Sequence, residues 1–412
     1  MTNHPSTGKL IVVHSLLYWL PLTENWLYHQ IQHLPYDIES HVVVGKETEN
    51  RDQFSLPNIH CLADRPMWRY VAKSKDKQAR SRIAPVRLSG KVLGKLQQRA
   101  YSNFLAQTAR ENGARVLHSH FGNQGWLNVR AARQAGLKHI VTFYGKDVNQ
   151  LPVIDPRWQQ RYRVLFEQVD CVLCEGPHMA QCIVDLGCSE RKVHVHHLGI
   201  KVDEIAFKPR VWDPSGPLRV LIAATFREKK GIPYALEALG RLQHQVPLKV
   251  TIIGDATGEA RSQAEKRRIL AVMEEHQLKP HVNMLGYQSH AALHEQAYKH
   301  HIFLSPSVTA SDGDTEGGAP IVIIEMVATG MPIVSTTHCD IPGVVQPDLV
   351  NLLVEERDVD GLVRYIKWLI EHREQWPNIL AAGRKHVEAE FDVRLQGEQL
   401  AEIYRVTARE RE

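Results

Sequence analysis

Short apolar runs alternate with helix-period segments along almost the whole chain, and this alternation restricts the fold more than any other feature. The runs KLIVVHSLL, SHVVVG, ARVLHSHF, KHIVTFYG, DCVLCEG and VHVHHLG are separated by helical patterns such as ENWLYHQIQHL, QRAYSNFLAQTARENG and GPHMAQCIVDLG. Such alternation means parallel sheets with crossover helices. The chain turns irregular through AFKPRVWDPSGP, and a second series opens at LRVLIAATF and continues through LKVTIIGD, VNMLG, HHIFLSPS, PIVST and NLLVEE. The break reads as a domain linker. The expected class is α/β, with two doubly wound domains, 1–208 and 209–392, facing a central cleft, and a last helix within 393–412 that is expected to cross back to the first domain. At 412 residues the chain exceeds one ordinary core. Ligands of such sheets lie beyond the carboxyl ends of the strands.

Within the second series, Ser311 to Val345 joins a glycine-rich acidic turn to a short apolar helix and a buried strand. Gly317 and Gly318 let backbone N–H groups approach a ligand without a Cβ in the way, and Pro320 suits a first helical position. The helix is expected over Ile321 to Thr329, stopped by Gly330 as a left-handed cap, with Pro332 opening the next strand. Its positive end would stabilise a diphosphate through unpaired N–H groups and the helix dipole, without requiring a metal. Two carboxylates bracket the unit, Glu316 before the glycines and Glu325 among Ile323, Ile324, Met326 and Val327. A Glu on so apolar a helix needs a partner, which ribose hydroxyls would provide, or else occupies its one solvent-facing stripe.

This segment resembles the donor-site signature of the retaining GT-B glycosyltransferases of family 4, two Glu separated by seven residues. Glu316 and Glu325 enclose eight. Either Glu316 reaches the hexose from one position early, or Gly317 occupies the usual acidic slot. The resemblance implies a GT-B fold of two Rossmann-like domains, ribose binding by Glu325, contact of Glu316 with the transferred sugar, and the amides of Gly317, Gly318 and Ala319 against hexose and phosphate. Asp312 and Asp314 are alternatives to Glu316 for that contact, although in an acidic loop each reads more simply as a turn residue. The family's loop lysine matches Lys230; its arginine, five positions earlier, falls on Thr225, with Arg227 as substitute. Gly254 and Gly286 resemble the strand-end glycines that flank the nucleotide.

In the first domain, the family places a His of the HxH pattern near the reacting sugar, which falls on His120; His118 and His120 also alternate along one strand face. The next strand ends TFYGKDV, with Tyr144 where the family commonly has His, and Gly145 and Asp147 retained. Thr23 and Glu24, before the first helix, resemble a polysaccharide-pathway branch and join Tyr144 and Asp147 as acceptor-side candidates.

The overall formal charge is only +4, yet Trp68 to Arg99 concentrates Lys73, Lys75, Lys77, Arg80, Arg82 and further bases against the single acid Asp76. Interleaved aliphatic residues suit a helix on an anionic membrane surface or around a lipid diphosphate; sparse aromatic residues argue against nucleic acid. Apolar runs fall short of the roughly 20 residues of a membrane span, and no signal-peptide order opens the sequence, so a cytoplasmic protein, peripheral on the inner face of the plasma membrane, is expected. Six cysteines in a chain this long form no disulfide framework, and Cys171 and Cys174 read as buried thiols.

The resemblance implies a metal-independent retaining transferase moving a hexose from a nucleotide diphosphate sugar, UDP favoured, to a saccharide or polyprenyl-diphosphate-linked acceptor. Bacterial surface-polysaccharide assembly is carried by the resemblance alone. His120, Glu316, Arg227 and Lys230 are the catalytic candidates. A nucleotide-sugar epimerase of the same architecture and a non-catalytic sugar-nucleotide or lipid-binding partner are the alternatives.

Overall fold

The computed structural model describes residues 8–20, 25–46, 50–65 and 84–409. Thr23, Glu24, Lys73, Lys75, Lys77, Arg80 and Arg82 lie outside the described residues. The first sheet holds β1 (Leu10–Tyr18), β2 (Ile38–Lys46), β3 (Ile59–Cys61), β4 (Val116–His120), β5 (Lys138–Thr142), β6 (Cys171–Cys174) and β7 (Val193–Val195), in the order β3-β2-β1-β4-β5-β6-β7. The second holds β8 (Leu218–Ala223), β9 (Leu248–Ile253), β10 (Val282–Gly286), β11 (Ile302–Ser305) and β12 (Ile333–Ser335), in the order β10-β9-β8-β11-β12. Neighbouring strands pair in parallel throughout both sheets. Each order reverses once, between β1 and β4 and between β8 and β11, which opens a crevice beyond the strand ends at each switch.

Two elements depart from the sequence expectation. Ile59–Cys61 is a strand too short to show an apolar run, and it pairs with Val42–Val44 at the sheet edge. NLLVEE is not a strand: Pro347–Leu352 is a 3-10 helix, and Val354 makes only an isolated bridge to Thr336. Its apolar residues instead pack partly buried against the second core.

Helix burial explains the cover on each sheet. Ile232–Leu242 presents Ile232, Ala235, Leu236, Ala238 and Leu239 to the second core, a spacing that winds one apolar face around the sheet. Val393–Arg409 crosses back and lays Leu400, Ala401, Tyr404 and Ala408 against Val12, Val116, Ile140 and Leu173 of the first sheet. No helix among the described residues is long and apolar enough to cross a membrane.

Candidate active site

The loops after β8 and β11, which flank the switch of the second sheet, carry the charged centre. Gly231 follows the turn Glu228–Lys230 with φ +62° and lies so close to the Pro306 carbonyl that a Cβ there would stand 1.8 Å from its oxygen. This contact fixes the lysine turn on the Ser305–Ser307 segment. Lys230 Nζ then donates to Glu316 Oε2 at 2.8 Å, and Ser307 Oγ donates to Glu316 Oε1 at 2.8 Å. Lys229 Nζ donates to the Thr315 carbonyl at 2.7 Å and to Asp314 at 3.1 Å, and stands 3.8 Å from Glu316. Arg227 completes the cluster 3.7 Å from Asp314 and 3.8 Å from Glu259. Burial by itself would raise the Glu316 carboxyl, but Lys230, Lys229 and the bonds from Lys230 and Ser307 bring it down to about 2. The result is a concentrated cationic pair at a strand-end crevice, its charge held in place by carboxylates.

Immediately after Glu316, Gly317 takes φ +81°, and Gly318 and Ala319 lead into the helix Ile321–Ala328. Pro320 sits at the N-cap position in extended geometry rather than in the first turn, and the helix ends at Ala328, one residue earlier than expected. Gly330 is left-handed at φ +82°, as its place after the helix requires. No hydrogen bond among the described residues takes the N–H of Gly318 or Ala319, so both remain available at the positive helix end. One turn into the helix, Glu325 points away from the core. Its Oε1 lies 2.8 Å from His290 Nε2 and its Oε2 lies 3.7 Å from His294 Nε2. Burial opposes ionisation of Glu325, and these two histidines overcome it, holding the carboxyl below its ordinary range. Gly254, at φ +117°, donates its N–H to the Gly286 carbonyl at 2.8 Å, which joins the ends of β9 and β10.

The first domain closes on this turn. Gly145, φ +82°, meets Gly317 backbone to backbone: a Cβ on Gly317 would lie 2.3 Å from the Gly145 Cα. Asn149 Nδ2 donates to Thr315 Oγ1 at 2.7 Å and Gln150 Nε2 to Asp312 at 2.8 Å. In the other direction, Asp340 of the second domain accepts from the His178 N–H at 2.7 Å and the Met179 N–H at 3.3 Å, capping the helix Pro177–Asp185 of the first. Glu175 is enclosed where the domains meet, against Gly318. Burial, then Asp340 and Asp147, push its carboxyl up to about 8, against an ordinary 4.5. A raised value means that the protonated form's stabilisation is complete below about 4.5 and is lost as pH rises through about 8. Glu175→Gln is therefore expected to raise the melting temperature by several degrees over the natural chain at pH 8, with the gap closing below pH 4.5; scanning calorimetry across that window measures it.

Tyr144, His120 and Asp147 are brought together, but two of them face inward. His120 is fully buried, with Nδ1 2.7 Å from the Tyr144 hydroxyl and Nε2 3.1 Å from His14 Nδ1. It reaches the cleft only through Tyr144, whose ring packs on Trp26 and Phe121. His118 is tied to Tyr404 and Thr142 at 2.7 and 2.6 Å. Asp147 accepts from the N–H groups of Gly122 and Tyr144 at 2.5 and 2.9 Å, so its carboxylate builds the loop rather than an acceptor contact. Burial first, opposed by these bonds, leaves it at about 6. The lysine turn with Lys229 and the LSPS turn that ends in Ser307 were legible in the sequence, whereas His290, His294, Glu175 and Asp340 were not singled out. The His pair alone left a signal, its four-residue spacing before the strand Ile302–Ser305; the others matter through contacts between distant segments.

Two Rossmann-like domains closing on a lysine pair and a glycine-led helix end define a GT-B glycosyltransferase architecture. The description "Glycosyl transferases group 1" matches residues 205–386, and "Glycosyltransferase Family 4" matches 57–204. The colanic acid biosynthesis glycosyltransferase WcaL of Escherichia coli is 30% identical over 308 residues, 73% of each chain. The amylovoran biosynthesis glycosyltransferase AmsK of Erwinia amylovora is 29% identical, over 73% of this chain and 72% of its own. Among solved structures, Anabaena Alr3699/HepE in complex with UDP superposes with a TM-score of 0.71 at 15% identity, covering 97% of this chain and 100% of that one. The chain belongs to the group 1, family 4 glycosyltransferases.

Proposed function

We propose that the protein transfers a hexose from a nucleotide diphosphate sugar, UDP favoured, to a saccharide or polyprenyl-diphosphate-linked acceptor in exopolysaccharide synthesis, with retention and without a metal. One observation carries this reading: Lys230, Lys229 and the free amides of Gly318 and Ala319 converge at the helix end that also bears Glu325. Departure of a nucleoside diphosphate builds negative charge on its phosphates. Fixed cations and N–H dipoles in a closed site stabilise that charge with no reorganisation. Lys230 would share its charge between Glu316 and the phosphates, and Glu316, whose oxygens already accept from Lys230 and Ser307, would offer its remaining lone pairs to a sugar hydroxyl. The ribose hydroxyls would replace the histidines as donors to Glu325. The acceptor hydroxyl would attack from the face the diphosphate leaves, passing its proton to the phosphate, so no side chain need act as nucleophile.

The names of WcaL and AmsK support an exopolysaccharide pathway, and the UDP complex of HepE supports the nucleotide class. The basic segment before the helix Ala84–Glu111 supports contact with an anionic membrane on the inner face of the plasma membrane. Calorimetric titration with UDP, GDP and ADP, with and without EDTA, tests the donor side. EDTA-insensitive binding of one nucleotide is expected; binding that EDTA abolishes would overturn metal independence, and no binding at all would favour a non-catalytic role. Donor turnover without any acceptor would instead favour an epimerase.

A further inference from the structure

Among the described residues, two groups of three ligand-type side chains converge, and they differ in what their nitrogens already do. In the core, His14, His118 and His120 are all buried. His14 and His120 are bonded to each other and to Ser40 and Tyr144, and His118 is bonded to Tyr404 and Thr142. Every ring nitrogen of that group already has a protein partner. The second group is His290, His294 and Glu325, whose ligand atoms all lie within 4.8 Å of one another.

Its geometry follows from a short helix, His290–Ala297, capped by Ser289, whose hydroxyl accepts from the Ala292 N–H at 3.2 Å. Residues four apart on a helix share one face, so His290 and His294 present both rings to Glu325, with centroids 4.4 Å apart. Their Nε2 atoms stand 2.8 and 3.7 Å from the two carboxylate oxygens. A tetrahedral ion with bonds of about 2.0–2.1 Å needs its ligand atoms roughly 3.3 Å apart, a value these two distances bracket. His294 Nε2 is shielded from solvent yet has no hydrogen-bond partner, an unsatisfied lone pair or N–H that calls for an explanation. The His290 side chain is 57% exposed, against 16% for His294 and 12% for Glu325, so an ion has a path in and a partly dry site at the end of it. Glu204 adds a further negative charge near His290.

We propose that His290, His294 and Glu325 bind a borderline divalent ion such as Zn2+, and that this ion and the donor nucleotide exclude each other because both require the Glu325 carboxylate. Two helical histidines one turn apart plus a carboxylate, with a fourth position open, suit zinc or cobalt rather than magnesium, which prefers six oxygen ligands. The ion would thus inhibit a reaction that itself uses no metal. The exclusion half rests on the ribose assignment of Glu325; the binding half does not.

The test is calorimetric titration of the full chain, free of any polyhistidine tag, with Zn2+ and with Mg2+, supported by the visible spectrum of bound Co2+. One Zn2+ site per chain is expected, with no response to Mg2+. The pair His290→Ala with His294→Ala should weaken Zn2+ by roughly 100-fold and remove the Co2+ bands, and Glu325→Gln, which keeps the shape, should weaken Zn2+ by at least about tenfold. Far-ultraviolet circular dichroism confirms that the compared variants are folded. Equal Zn2+ binding by the natural chain and the paired variant, or none by the natural chain, overturns the site. Saturating UDP should weaken Zn2+ binding by at least about tenfold after the Zn2+ that free UDP itself chelates is subtracted, measured by titrating UDP alone with Zn2+. If UDP binds but leaves Zn2+ affinity unchanged, the exclusion and the ribose assignment fall while the metal site stands. If UDP binds only when Zn2+ is present, the exclusion falls and metal independence falls with it, while the metal site stands.

Discussion

Lys230→Met is expected to lower turnover by about 100- to 1,000-fold, the loss typical of removing one fixed group that stabilises charge in a transition state. It is also expected to lower stability by about 3 kcal/mol, because it leaves the buried Glu316 carboxylate short of its nearest cation. This is the low end of the roughly 3–5 kcal/mol for breaking a buried ion pair, since Lys229 remains 3.8 Å away. The sign with pH is fixed. Glu316 is depressed to about 2 from an ordinary 4.5, so its ion-pair contribution is present above about 4.5 and is lost as pH falls toward 2. The stability deficit of Lys230→Met should therefore be full at pH 7 and shrink in acid. Adding Glu316→Gln removes the stranded charge. The double variant should regain most of the stability in urea unfolding and none of the turnover. Recovery of turnover as well would reduce the pair to a structural bridge and remove Lys230 from the chemistry.

Glu325→Ala is expected to weaken nucleoside diphosphate binding by roughly 100-fold, the equivalent of one or two hydrogen bonds to a charged acceptor. The fold should survive, since the two histidines left behind can remain neutral and one of them is largely exposed. A ligand change separates ribose recognition from general damage. The 2′,3′-dideoxy nucleotide should bind the natural chain as weakly as the full nucleotide binds Glu325→Ala, and the two losses should not add. Additive losses would place the ribose elsewhere.

The strands were legible because buried parallel strands read as near-continuous apolar runs, of which CVLC and IFLS are fully buried examples. The same rule failed at Leu352, Leu353 and Val354, whose apolar side chains pack against the core from a 3-10 turn and a single bridge. The lysine turn, the glycines and both glutamates were legible because they are close in sequence or carry a family pattern. Their directions were not. Nothing in TFYGKDV distinguishes an Asp147 that greets an acceptor from one that caps the helix beginning at Gly122, since the capped N–H lies 25 residues away. Glu175 and Asp340 were invisible for the same reason: each matters through the opposite domain, and a single chain of letters does not show which loops will meet.

The crossing of Val393–Arg409 beneath the first sheet bears on how the protein is made. Val12, Val116, Ile140 and Leu173 have their cover in Leu400, Ala401, Tyr404 and Ala408. A ribosome has therefore delivered every strand of the first sheet, and then an entire second domain, before that apolar underside can be closed. At roughly 5–20 residues per second, the stretch from Val195 to Tyr404 takes on the order of 10–40 s to synthesise. For that interval the nascent first domain carries an open hydrophobic face, which makes it a natural client for chaperones. The two halves thus have separate sheets but share a core, and the first half expressed without Val393–Arg409 would leave that underside open.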